Sequence, residues 1–228
     1  MLYLTPNATK LATCFSNRYL GQIFTPRSWR RPELPLPWAA DNDCYSQGEA
    51  FDLGVYLAWL ERMRPYSRRC LFATLPDVVG DAEATLERSL SVLPELAELD
   101  YPRAFVLQDG CNYKLVPWRD IEAVFIGGTT VWKLSQDARY LAHVAKGLGK
   151  WVHMGRVNSF ERMKIAFWWG CDSVDGTSLV FGPDRRWPEI KRWLSLNDQG
   201  RLDLFGAGQL ERKPGAVPDA HWSENAVL

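Results

Sequence analysis

The sequence predicts an α/β fold, a compact (β/α)8 TIM-like barrel, on three observations. Strand-like and helix-like segments alternate through the second half of the chain, the order that builds a parallel sheet with covering helices. Seven or eight strand candidates fall within 228 residues, enough to close a barrel somewhat below the usual ~250 residues. No G-x-G-x-x-G or phosphate-loop motif occurs, which removes the usual reason to prefer the alternative, an open doubly wound sheet.

Leu2 to Leu4 and Pro37 to Ala40 read as strands, with Ser16 to Pro35 a long loop between them and Phe51 to Arg62 a helix. Arg69 to Thr74 is an apolar strand running into Leu75-Pro76-Asp77. From Asp81 to about Leu99 an apolar stripe including Ala84, Leu90 and Leu93 predicts a helix that Pro94 interrupts. Ala104 to Leu107 is a buried strand ending in Gln108-Asp109-Gly110, and Ala123 to Ile126 another, ending in Gly127-Gly128. Ser135 caps a helix carrying Leu141, Val144, Ala145 and Leu148 on one face, closed at Gly149. Trp151 to Met154 is the next strand. Asn158 with Glu161 has the pattern of a capping box for a helix that stops at Gly170. A short strand at 172–176 and a helix from about Trp187 to Leu196 complete one domain over residues 1–205. Residues 206–228, rich in Gly, Pro and polar side chains, read as a tail.

Hydrophobic residues make up 46% and charged residues 24% of the chain, an ordinary globular composition with enough apolar surface for a core. Zero net charge excludes a strong global field toward nucleic acid or anionic membranes, so any such binding needs a local patch. The five cysteines (Cys14, Cys44, Cys70, Cys111 and Cys171) are scattered without a C-x-x-C pair, and there are only three histidines. This argues against a metal site of zinc type and for a reducing compartment. No apolar run of about 18 residues occurs. The expectation is a cytoplasmic protein with no membrane partner and no cofactor, in the host cytoplasm if phage-encoded.

Apolar strands repeatedly end in a polar or glycine cluster: Asp41-Asn42-Asp43, Asp77, Gln108-Asp109, Gly127-Gly128, Met154-Gly155-Arg156 and Asp175. Such residues also serve turns and caps, so the information lies in the ensemble. In a barrel these ends converge on one face. Tyr45 and Met154 would add flat or soft apolar surface there, which suits a planar heterocycle. The last cluster, Gly170-Cys171-Asp172-Ser173-Val174-Asp175-Gly176-Thr177, carries two acids. Alternation puts Asp172 and Asp175 on opposite faces. Strand direction makes Asp175 the exposed acid at the exit and Asp172 a structural acid at the start.

These residues resemble the tRNA-guanine transglycosylase superfamily, specifically its branch that inserts 7-deazaguanines into DNA in phages and bacteria. The resemblance spans about residues 36 to 180 and rests on Asp41-Asn42-Asp43-Cys44-Tyr45, Asp77, Gln108-Asp109-Gly110, Gly127-Gly128, Met154-Gly155 and Gly170-Cys171-Asp172-Ser173-Val174-Asp175, in that order. It implies a barrel enzyme, a pentosyltransferase, that replaces guanine with a 7-deazaguanine through a covalent glycosyl-aspartate. Asp175 would be the nucleophile and Asp41 the proton carrier. Asp77, Gln108, Gly127 and Gly128 would read the base, and Tyr45, Met154 and Gly155 would enclose it. The partners implied are DNA with a flipped or single-stranded guanine, a free 7-deazaguanine base, and a possible protein that opens the duplex. No cysteine follows Cys171, and Gly176 stands where the family commonly has cysteine. The zinc subdomain of the tRNA-acting enzymes is therefore not expected, and DNA is favoured over tRNA.

The chain has eleven tryptophans, several interleaved with bases, at Ser28-Trp29-Arg30-Arg31, Arg185-Arg186-Trp187 and Lys191-Arg192-Trp193. Arg156, Arg185 and Arg186 are the expected contacts to nucleic acid, with Arg62, Arg64, Arg68 and Arg69 a further basic cluster. Packed tryptophans beneath solvated helix faces are the alternative. His153 reads as a packed histidine. Two other activities compete with DNA base exchange: a tRNA-guanine transglycosylase-like enzyme or N-glycoside hydrolase, and a non-catalytic nucleic-acid-binding relative.

Overall fold

The computed structural model describes residues 1–6, 18–28, 31–32, 35–180 and 182–198. The tail at 206–228, Cys14, and Trp29-Arg30 of the first basic run lie outside the described residues. Eight parallel strands form a closed barrel in sequence order: β1 Leu2–Pro6, β2 Leu20–Phe24, β3 Trp38–Ala40, β4 Cys70–Thr74, β5 Arg103–Leu107, β6 Ala123–Ile126, β7 Trp151–Met154 and β8 Ser173–Asp175. Closure is made by β8 against β1, with Leu2 beside Ser173 and Leu4 beside Asp175. The described helices are α1 Cys44–Gln47, α2 Leu53–Met63, α3 Ala82–Glu98, α4 Thr130–Lys133, α5 Gln136–Gly147, α6 Phe160–Trp168 and α7 Pro183–Asp198.

Alternation along each strand divides the core into two shells. Leu4, Ile23, Ala39, Phe72, Ala104 and Ala123 fill the barrel interior. Trp38, Phe105, Val124, Ile126, Val152, Met154 and Val174 belong to the outer shell. Side-chain oxygens cap the longer helices: Ser135 accepts from Ala138 N as expected, and Asp52 accepts from Val55 N and Asp81 from Ala84 N. Among the described residues no helix is long and apolar enough to cross a membrane.

Three local expectations are corrected. The loop expected over Ser16 to Pro35 contains β2, fully buried although Gly21 and Gln22 break its apolar pattern. Pro94 does not interrupt α3. It lies on the exposed face near Leu90, so water can satisfy the carbonyl that loses its partner. The cap of α6 is Ser159, accepting from Arg162 N. Asn158 instead accepts from Thr177 N at 2.8 Å and Ser178 Oγ at 3.3 Å, tying the β7 exit to the β8 exit.

Candidate active site at the carboxyl end of the barrel

A cavity of about 560 Å³ opens at the strand exits. Nearly every strand contributes to its lining: Pro6 and Ile23 from β1 and β2, Asp41 after β3, Thr74 on β4, Val106 on β5, Phe125 on β6 and Asp175 on β8. The sequence-predicted Asp41, Tyr45, Asp77, Gln108, Gly127, Gly128, Arg156 and Asp175 all line it. Strand direction collects them. Each sits at or just past the carboxyl end of its own strand, and closure of the ring brings those ends together.

Asp175 is half-buried at the end of β8. Its Oδ1 accepts from Arg156 N at 3.2 Å and faces His153 Nε2 at 3.0 Å. Behind it, His153 Nδ1 lies 2.8 Å from Ser173 Oγ, which also accepts from Trp151 Nε1 at 2.9 Å. Trp151 can only donate, so the Ser173 proton is left for His153 Nδ1, and the neutral ring then donates Nε2–H to the carboxylate. The ring is fully buried, with Phe125 and Phe72 at 4.5 and 5.1 Å between centroids, so its direction is fixed by packing. Among the described residues, Oδ2 of Asp175 has no hydrogen-bond partner and remains available to a substrate.

Asp41 has the opposite electrostatics. Burial, followed by the negative charges of Asp175 and Asp77, raises its carboxyl to about 7 despite the hydrogen bond from Asp43 N. Near neutral pH it can therefore hold or release a proton. Asp77 is also raised by burial, but its Oδ1 accepts from Asn42 Nδ2 at 2.9 Å and its Oδ2 from Gln108 Nε2 at 2.6 Å, both favouring the carboxylate. Gln108 Oε1 in turn accepts from Gly80 N at 3.0 Å. Gln108 thus orients Asp77 at least as much as it offers a donor to a ligand.

Arg156 has a left-handed backbone (φ 58°). Its guanidinium donates to the Gly128 carbonyl and lies over the exposed Tyr45 ring, 4.6 Å from the centroid. Since Tyr45 follows β3 and Arg156 follows β7, this contact crosses the mouth of the barrel. Gly176 has no room for a side chain. A Cβ there would lie 2.5 Å from Asn158 Oδ1 and 2.6 Å from Tyr3 Oη.

Several expectations fail for stated reasons. Met154 does not enclose a ligand: it alternates with inward-facing His153 and is buried in the outer shell. Gly155 does not line the cavity: a Cβ there would lie 2.7 Å from the Phe125 ring and 3.4 Å from Asp175 Oδ1, and its carbonyl accepts from Lys133 Nζ at 2.7 Å. Arg185 and Arg186 are exposed in the first turn of α7 and do not line the cavity; Arg186 pairs with Glu189 at 3.2 Å. Nor do Trp187 and Trp193 form stacking platforms, because Trp187 is buried and Trp193 packs 5.2 Å from Phe160. Arg64 to Arg69 precede β4, which puts that basic cluster at the other end of the barrel.

Lys133 and Arg162 are the residues passed over, whereas His153 is packed and hydrogen-bonded as expected. Asn42 is buried and bridges β3 to β4 through Thr74 Oγ1, Leu75 O and Asp77. Alternation puts His153 and Met154 on opposite faces of β7, and the structure turns His153 toward Asp175. Asp172 is structural as expected, accepting from Lys146 Nζ at 2.7 Å and Val152 N at 2.8 Å. Among the described residues, no group of three His, Cys, Asp or Glu side chains is placed to hold a metal ion.

No known family model matches this chain, and no curated protein matches it. Solved structures similar to it include a Bacillus subtilis protein with an EAL domain, in complex with substrate c-di-GMP and calcium. It shares 14% identity at a TM-score of 0.43, over 74% of this chain and 46% of that one. A mandelate oxidase variant with a monooxide FMN adduct shares 14% identity at a TM-score of 0.48, over 89% of this chain and 69% of that one. This chain spans less than half the length of the first. These likenesses concern the barrel alone.

Proposed function

We propose that this protein is an enzyme that exchanges guanine for a 7-deazaguanine in nucleic acid through a covalent intermediate on Asp175, with DNA the acceptor that the family resemblance favours. The observation that carries the reading is the presence of three carboxyl groups in distinct environments around one cavity. Asp175 is held by neutral donors with one oxygen uncommitted, Asp41 is raised to about 7, and Asp77 is clamped by two amides.

Asp175 adds to C1′ as the bond from C1′ to the guanine nitrogen breaks, and Asp41 gives its proton to the leaving base. The oxocarbenium-like transition state needs an anion close to C1′, which the uncommitted oxygen supplies. Asp77 accepts from the N1–H and amino edge of the purine, while Phe125, Val106 and Ile23 provide apolar walls. In the second half the incoming base gives a proton to Asp41, attacks C1′ and releases Asp175. The target nucleotide must leave the stack, because C1′ is inaccessible in a duplex.

The test is incubation with radiolabelled guanine and single-stranded DNA, duplex DNA or tRNA. Label entering one of these, and lost in Asp175→Asn, supports exchange and identifies the acceptor. Base release without incorporation would make the enzyme a hydrolase. Binding with neither would leave a non-catalytic nucleic-acid-binding protein.

A further inference from the structure

We propose that Arg156, Arg162 and Lys133 form a phosphate subsite beside Asp175, which takes the phosphate ester attached to the sugar whose base occupies the cavity. The proposal rests on the nucleoside-exchange reading above and extends it from the base to the backbone.

The three cations come from separate segments: Lys133 ends α4 after β6, Arg156 follows β7, and Arg162 is in the first turn of α6. Each directs its hydrogen bonding to main-chain carbonyls. Lys133 Nζ donates to Gly155 O at 2.7 Å, Arg156 Nη2 to Gly128 O, and Arg162 Nη1 to Arg156 O at 3.1 Å. Among the described residues none of the three forms an ion pair, and most donors of both guanidinium groups have no partner. The groups are close enough to repel. Burial and then the charges of Arg156 and Arg162 push Lys133 down to about 8.

Asp175 counters part of this charge, but among the described residues no carboxylate forms an ion pair with the three cations. Asp175 is held by the main-chain N–H of Arg156, Asp77 by two amides, and Asp41 near its neutral form. The unpartnered guanidinium donors are therefore left for an anion from outside. Arg156 and Arg162 both line the cavity, whereas Lys133 is fully buried and acts from behind them. Guanidinium forks suit the several oxygens of a phosphate, and the loop after the seventh strand is a frequent phosphate site in this fold. With C1′ at Asp175, a 5′ or 3′ phosphate would lie about one sugar's width away, within the cavity that Asp175 shares with Arg156 and Arg162.

Calorimetric titration at low salt would compare 2′-deoxyguanosine with its 5′- and 3′-monophosphates. The wild-type protein should prefer one monophosphate over the nucleoside by about tenfold or more. That preference should fall to about threefold or less in Arg162→Gln, return in part in Arg162→Lys, and leave nucleoside affinity unchanged. Lys133→Met should weaken it in the same direction, with circular dichroism checking the fold. Equal affinity for nucleoside and monophosphates, no binding of either, or a preference that survives Arg162→Gln would overturn the subsite. The label-exchange assay is read separately. Phosphate preference without exchange would refute the exchange reading alone, and exchange without phosphate preference would refute the subsite alone.

Discussion

Asp41→Asn should stabilise the protein at alkaline pH while abolishing exchange. The folded-state carboxyl lies near 7 against an ordinary value of 3.8. Between those values the folded chain keeps a proton that the unfolded chain has lost, so stability falls as pH rises across the window. At ~1.4 kcal/mol per pH unit the full gap corresponds to about 4 kcal/mol. Water in the open cavity screens the charge, which reduces the expected effect to about 1–2 kcal/mol. Asparagine mimics the neutral acid and its Oδ1 can still accept from Asp43 N. Thermal unfolding followed by circular dichroism should show wild type and variant alike near pH 4, with Asp41→Asn higher by about 2–8 °C at pH 8. A variant no more stable than wild type at pH 8, or a gain that does not change with pH, would refute the assignment of a proton to Asp41 at neutrality.

Other substitutions separate chemistry from support. Asp175→Asn should lower exchange by at least about 10³-fold and remove any protein–DNA adduct on a denaturing gel, with the fold retained by circular dichroism. His153→Leu should reduce kcat by about 10- to 100-fold through loss of one hydrogen bond to a charged group; a raised KM at unchanged kcat would argue against positioning of Asp175. Gln108→Leu strips one amide from Asp77 and leaves Gly80 N unpaired. It should cost about 1–3 kcal/mol in denaturant unfolding and weaken guanine binding. Asp172→Ala removes the acceptor for Lys146 and Val152 N, so it should lower Tm without altering the kinetics of the folded fraction.

The sequence by itself determined the barrel and most of its strand exits. Local patterns carry that information: apolar runs at Ala104 to Leu107 and Ala123 to Ile126, the cap at Ser135, and polar residues where the runs stop. Alternation also separated the two acids, and strand direction left Asp175 at the exit and Asp172 as a structural acid at the entry. Where local patterning was weak, reading failed, as at β2, whose Gly21 and Gln22 hide a buried strand, and at Asn158, whose oxygen serves the β8 exit instead of a helix.

Only the tertiary structure decided which residues act together. Pairing of β7 with β8 sets His153 beside Ser173 and brings Trp151 and His153 behind Asp175, while Met154 is turned away from the cavity. The closed barrel also separates Arg185 and Arg186 from the cavity, while Lys133 and Arg162 gather around Arg156. The cause is geometric. Side-chain direction alternates within a strand and is legible there, but the approach of one strand's exit to another's exists only once the ring is closed.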